Sequence, residues 1–186
     1  DTYSGKGDDR TISATTLLKS TRQIVLDRRV DTAQATPNIS SLIASRIGVA
    51  IHDAIERAWV GPHLTKALEA LGLPAHRYIV NPTGPVPEGM LAVYVEQRVE
   101  KVLDGWIITG QYDIVIVGQL HDVKTTKSYV IQKKLNDDKW TMQGSIYKWL
   151  NPEVITDDSV VIECVVLDWT AAGAASSPDY PQSQWT

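Results

Sequence analysis

Near residue 90 the apolar residues of this 186-residue chain change period, and that switch limits the fold more than any other feature. Upstream they recur at three and four. Leu17, Leu18, Ile24 and Val25 form one run, and Leu42, Ile43, Ile47, Ala50, Ile51, Ala54, Ile55 and Ala58 form another. That is the period of a helix with one apolar stripe. The spacing predicts a helix over 13–30 capped by Ser13, and a second over 41–60 capped by Ser40 or Ser41. A short third covers 64–72 and ends at Gly72, ahead of Pro74. Thr36-Pro37-Asn38 separates the first two. Capping is a better use of Ser40 than the glycosylation sequon Asn38-Ile39-Ser40. Residues 81–89, rich in Pro and Gly, form a loop.

Beyond that loop the period is two. Leu91 to Val99 alternates, which places Val93, Val95, Gln97 and Val99 on one side. Trp106–Thr109, Tyr112–Val117 and Gln119–Lys124, punctuated by Gly105, Gly110 and Gly118, read as further strands of an antiparallel meander. Residues 128–135 suggest a short helix. Asp137 or Asp138 caps a firmer one that runs to Leu150, where Asn151-Pro152 stops it. "VVIECVVL", residues 160–167, is apolar enough to lie inside a sheet, and from Ala171 onward the chain reads as loop. Helices, meander, helix, strand is the order of an α/β protein with a central mixed β-sheet flanked by helices, here as a single domain over 1–186.

Composition removes several classes. The lone Cys164 excludes an intrachain disulfide framework, a four-cysteine zinc site and an iron–sulfur cluster. No apolar run approaches the 18 residues or so of a membrane span. A net charge of −4 gives no support to nucleic-acid binding by bulk charge. The distribution is uneven, however. Arg10, Lys19, Arg22, Arg28 and Arg29 face only Asp27 within 10–30, and six Lys face Asp122, Asp137 and Asp138 within 119–150.

Four elements carry chemistry. Asp113 lies in "GQYDIVIVG", and an acid inside an apolar strand needs a charge or a metal to meet it. Asp122 and Lys124 are two apart on a strand, so both side chains leave one face. His52 lies on the apolar side of the second helix. Gln143 and Tyr147 are four apart and share a face of the helix ending at Leu150. Phosphodiester hydrolysis needs this kind of set. Negative charge builds on phosphorus and on the leaving oxygen, a hard cation answers it, and clustered carboxylates hold the cation. An adjacent lysine orients the water or stabilises the charge that forms. His52 adds an imidazole, which suits Mn²⁺ alongside Mg²⁺. The backbone carbonyl of Val123 is placed to coordinate as well.

In these motifs the chain resembles the PD-(D/E)xK phosphodiesterases, in their RecB-like and lambda-type phage exonuclease branch. Gly48 and His52 match a "G-x-x-x-H" helix. Glu96 matches the acid of the next strand, and Gly110 to Asp113 a "G-x-x-D" strand. Asp122 to Thr125 match "D-x-K-T", and Gln143 to Tyr147 match "Q-x-x-x-Y". The opening "ISATTLLKSTRQIVLDRR" is similar to the branch's Ser-bearing first helix. The resemblance runs from about residue 12 to 168 and implies a restriction-endonuclease-like core. It implies His52, Asp113 and Asp122 as metal ligands and Lys124 as the catalytic lysine. Gln143, Tyr147, Thr125, Lys127 and Glu96 would be supporting or DNA-contacting residues. The implied activity is a Mg²⁺- or Mn²⁺-dependent deoxyribonuclease, an exonuclease of DNA recombination, repair or phage replication. It would act on double- or single-stranded DNA in the cytoplasm of a bacterium or phage-infected host. A homo-oligomer or a recombination partner protein would accompany it. Relatives often continue past the strand at 160–167, so a C-terminal segment is expected to be missing here. A restriction-like or structure-specific endonuclease shares the same chemistry, and a non-catalytic DNA-binding module with a vestigial site is the third reading.

Overall fold

The computed structural model describes residues 10–30, 38–70, 72 and 74–186. Strand β1 (Thr11–Ser13) leads into helices α1 (Ala14–Leu17) and α2 (Thr21–Arg29). Ser13 caps α1 and Ser20 closes a capping box on α2, so the helix expected over 13–30 is split in two by a second set of cap interactions. The break expected at Thr36-Pro37 lies outside the described residues. Asn38 rather than a serine caps α3 (Ile39–Val60), its side chain accepting from the Ser40 N–H. Helix α4 (Leu64–Ala70) follows, then a 3₁₀ turn and strand β2 (Tyr78–Val80).

The meander is present, with longer strands than the sequence suggested. Strands β3 (Leu91–Leu103), β4 (Trp106–Ile116) and β5 (Gln119–Thr126) pair antiparallel in turn. Gly110 does not interrupt β4. A Cβ there would lie 2.8 Å from the Tyr147 ring, so this glycine admits a helix rather than making a turn. Helices α5 (Ser128–Gln132) and α6 (Asp137–Leu150) lead to β6 (Val160–Val166), parallel to β5. The spatial order is β2-β3-β4-β5-β6 with β1 parallel to β4 at its start, which gives an α/β fold around a mixed sheet.

Two expectations are corrected. Strand β6 ends the sheet rather than lying inside it. Its outer edge is covered by the chain's last residues, with Cys164 and Thr186 exchanging backbone hydrogen bonds and Val166 donating to Gln184. The stretch after Ala171 is also not all loop, since α7 (Ala171–Ser176) is capped by Thr170.

Helices α1 and α6 cover one face of the sheet, over Ala14, Ile108, Tyr112, Val115, Leu120, Tyr147 and Leu150. Helix α3 lies on the other, where Ile55 and Trp59 pack on Val93, Val95 and Ile114. Simple alternation fails along β3: Val93 and Val95 face α3, whereas Val99 packs with the α6 core. The cause is Glu96, whose φ of 50° is left-handed. That residue interrupts the pleat, and the side chains before and after it exchange faces.

Candidate metal centre at a fork in the sheet

The distortion at Glu96 sits where the sheet opens. Strand β1 leaves β4 after Thr109, and β5 joins only at Ile114. Residues 110–113 of β4 therefore border a gap. Across β3, the pairs Val95↔Ile114 and Gln97↔Tyr112 leave Glu96 opposite Asp113. Across β5, the ladder stops at Ile114↔His121, and continuing its register sets Asp113 opposite Asp122. Asp113 stands in the fork and fills part of it. Its Oδ2 accepts the Val123 N–H at 2.7 Å, replacing the ladder bond that the parting strands give up. Val123, whose carbonyl is the expected ligand, gives its N–H to Asp113.

His52 reaches this point from α3. Its Nδ1 lies 3.5 Å from Asp113 Oδ1 and 3.8 Å from Glu96 Oε1. One ligand atom from each of the three residues lies within 4.8 Å of the others. The three side chains are 31%, 20% and 14% exposed for His52, Glu96 and Asp113, so solvent reaches them all. Hydrogen bonding to Asp113, then to Glu96, pushes the His52 pKa up to about 10. Without a cation, the two carboxylates hold a proton on the imidazole, which offsets part of their charge. The donor set, one imidazole nitrogen and two carboxylates from three elements, could hold a divalent cation.

Asp122 and Lys124 approach from the other side. Leu120 belongs to the core under α6 while Val123 lines a cavity beneath α3, so the even-numbered residues of β5 face α6. The Asp122 side chain is only 4% exposed, and Lys124 Nζ lies 2.5 Å from its Oδ2. That contact is an ion pair, and among the described residues the buried oxygen has no other partner. Burial pushes the Asp122 pKa up to about 6, with Lys124 opposing the rise and Asp113 adding to it. The two aspartates therefore feel each other, although Asp122 lies outside the three-residue group. Behind them Gln143 donates to Tyr147 Oη at 2.9 Å, both buried, and burial pushes Tyr147 up to about 12. This pair supports the floor of the fork.

The remaining sequence candidates lie further out. Lys127 is exposed at the start of α5. Thr125 Oγ1 is 3.4 Å from where a Cβ on Gly48 would stand, so Thr125 marks the contact between α3 and β5. Glu96, matched to the least defined motif, proves to be one of the three converging side chains. Gln111 was not a candidate at all, yet its Nε2 donates to Glu96 Oε2 at 2.7 Å. Two-residue alternation with Asp113 was the available signal.

No protein family and no curated protein sequence matches the chain. Its fold is similar to the crystal structure of SSO0001, with a TM-score of 0.52 and 18% identity. The likeness covers 88% of this chain and 65% of that one, so this chain spans about two thirds of its length. At that identity the likeness is one of fold. Among the described residues no helix is long and apolar enough to cross a membrane.

Proposed function

We propose that this chain is a metal-dependent nuclease that hydrolyses phosphodiester bonds of DNA from an end. One observation carries the reading: an imidazole and two carboxylates converge at a sheet fork, beside a buried carboxylate with an ammonium 2.5 Å away. That combination pairs a cation site with a separate, permanently placed positive charge, and phosphodiester hydrolysis uses both.

His52, Glu96 and Asp113 would hold a Mg²⁺ or Mn²⁺ ion, which supplies positive charge where negative charge builds on the phosphate oxygens. Asp122 keeps the Lys124 ammonium at the fork, because a buried carboxylate and a nearby cation stabilise each other. Lys124, 23% exposed, reaches solvent from there and donates a hydrogen bond to the attacking water or to a phosphate oxygen. Asp113, hydrogen-bonded to the Val123 N–H, keeps its orientation through the reaction. Exposed Arg22, Arg28 and Arg29 on α2, and Lys133, Lys134 and Lys139 around the α5–α6 turn, supply cations for flanking phosphates. With DNA as substrate, the protein belongs in the cytoplasm of a bacterial or phage-infected cell.

The test is incubation with end-labelled linear duplex, single strand and closed circular DNA in Mg²⁺, Mn²⁺ or EDTA. Linear DNA is expected to be cut in either metal, and no cutting is expected with EDTA or with Asp113→Asn. Cutting of the closed circle would make the enzyme an endonuclease. Intact DNA in every arm, or cutting that ignores the chelator, would overturn the proposal.

A further inference from the structure

We infer that Gln111 is a positioning residue of this centre, fixing the Glu96 carboxylate so that one oxygen faces the cation and the other is held back. The inference rests on the reading of His52, Glu96 and Asp113 as a cation site. Gln111 sits on the open edge of β4, paired across β3 with Arg98. Its Nε2 donates to Glu96 Oε2 at 2.7 Å, and its Oε1 accepts from Arg98 Nη2 at 2.9 Å. Glu96 Oε1 is the oxygen that faces His52.

A side-chain amide can usually turn end for end, since its two heads are similar in size. Here its partners decide its sense. The Arg98 guanidinium only donates, so the amide oxygen must face it. The Glu96 carboxylate only accepts, so the amide nitrogen must face that. Arg98 and Glu96 are two apart on β3, and Gln111 bridges them from β4. The backbone acts in the same direction, because the left-handed φ of Glu96 aims its side chain into the fork. An unrestrained glutamate loses rotamer freedom when it becomes a ligand. A glutamate already held by Gln111 has lost much of that freedom before the ion arrives. Hydrogen-bond partners of metal ligands change ion affinity by about 10–100-fold when removed.

The experiment is calorimetric titration of the full chain with Mn²⁺, arranged as a double-mutant cycle. Gln111→Met keeps the length and removes both hydrogen bonds. We expect it to weaken Mn²⁺ binding about tenfold or more, and to have no further effect in a Glu96→Ala background. Arg98→Met frees the amide to turn, and a smaller loss in the same direction is expected, again absent with Glu96→Ala. Thermal unfolding without metal shows which variants fold, and Arg98→Met carries the test should Gln111→Met fail to do so. Wild-type affinity in both folded variants, or losses that simply add to that of Glu96→Ala, would overturn the positioning role. If wild type binds and Asp113→Asn does not, those outcomes sink the inference alone. If wild type takes up no Mn²⁺, the cation site itself fails and the inference falls with it.

Discussion

The two sides of the fork each carry an aspartate but balance its charge in opposite ways. On the α3 side, His52, Glu96 and Asp113 are each partly open to water, and their negative charge is offset in part by a proton that can leave. On the α6 side, Asp122 is nearly sealed, and its charge is balanced by a covalently tethered ammonium. A hydrated cluster can exchange its counter-charge with solvent, whereas a buried carboxylate must carry a partner within the fold. On the proposed reading, the open side is the one that captures an ion and the sealed side the one that stays fixed.

Lys124→Ala is the most severe way to break this division. It is expected to lower the cleavage rate by about three orders of magnitude or more. Mn²⁺ affinity should change by less than about tenfold, because the open side keeps its three proposed ligands. Single-turnover cleavage and calorimetry on the same preparation check this. If Lys124→Ala loses Mn²⁺ as completely as Asp113→Asn, the two sides form one inseparable site.

The next effect follows from the proton on His52. With its pKa raised from 6.5 to about 10, the proton stabilises the metal-free fold. That contribution is fully present below pH 6.5 and is lost as pH rises towards 10. A divalent ion must displace the same proton. Mn²⁺ affinity is therefore expected to rise about tenfold per pH unit between roughly pH 7 and 9, with about one proton released per ion. Titrations in buffers of different ionisation heat measure that release. Asp122→Asn, on the sealed side, should leave the slope unchanged, and a flat profile in wild type would show that His52 holds no exchangeable proton.

Much of the fold and several of the charged site residues were legible in the sequence, and the rest was hidden for physical reasons. The period switch near residue 90 reports the helix-to-strand change directly, because a buried face imposes its own repeat. Asp113, Asp122 and Lys124 stand out because ionisable groups among "YDIVIV" and "LHDVKTT" need partners. Their distribution over two sides of the sheet was not legible. It depends on where β1 leaves β4 and where β5 joins, and those are long-range pairings. Gly110 misled for a related reason, since a glycine making room for Tyr147 looks the same in sequence as one making a turn. Glu96 was undervalued because alternation presumes an unbroken pleat, and the pleat breaks at Glu96 itself.

That break supplies the smallest effect and the most discriminating sign. In an ordinary strand, glycine is less stable than alanine by about 0.5–1 kcal/mol, because it loses more backbone freedom on folding. At a left-handed φ the order reverses, since a Cβ there costs about 1–2 kcal/mol. Glu96→Ala and Glu96→Gly both delete the carboxylate, so their difference cancels the lost interaction with His52 and isolates the backbone. Glu96→Gly should be the more stable of the two by about 1 kcal/mol, read by denaturant unfolding of the metal-free protein. The same pair at Arg98, two residues on in regular strand, should show the opposite order. An Ala-over-Gly preference at Glu96 would mean that the strand relaxes to a regular pleat once the carboxylate is gone. The bend would then be held by the charged cluster rather than the cluster by the bend, and the open side would be assembled by its ligands instead of prepared for them.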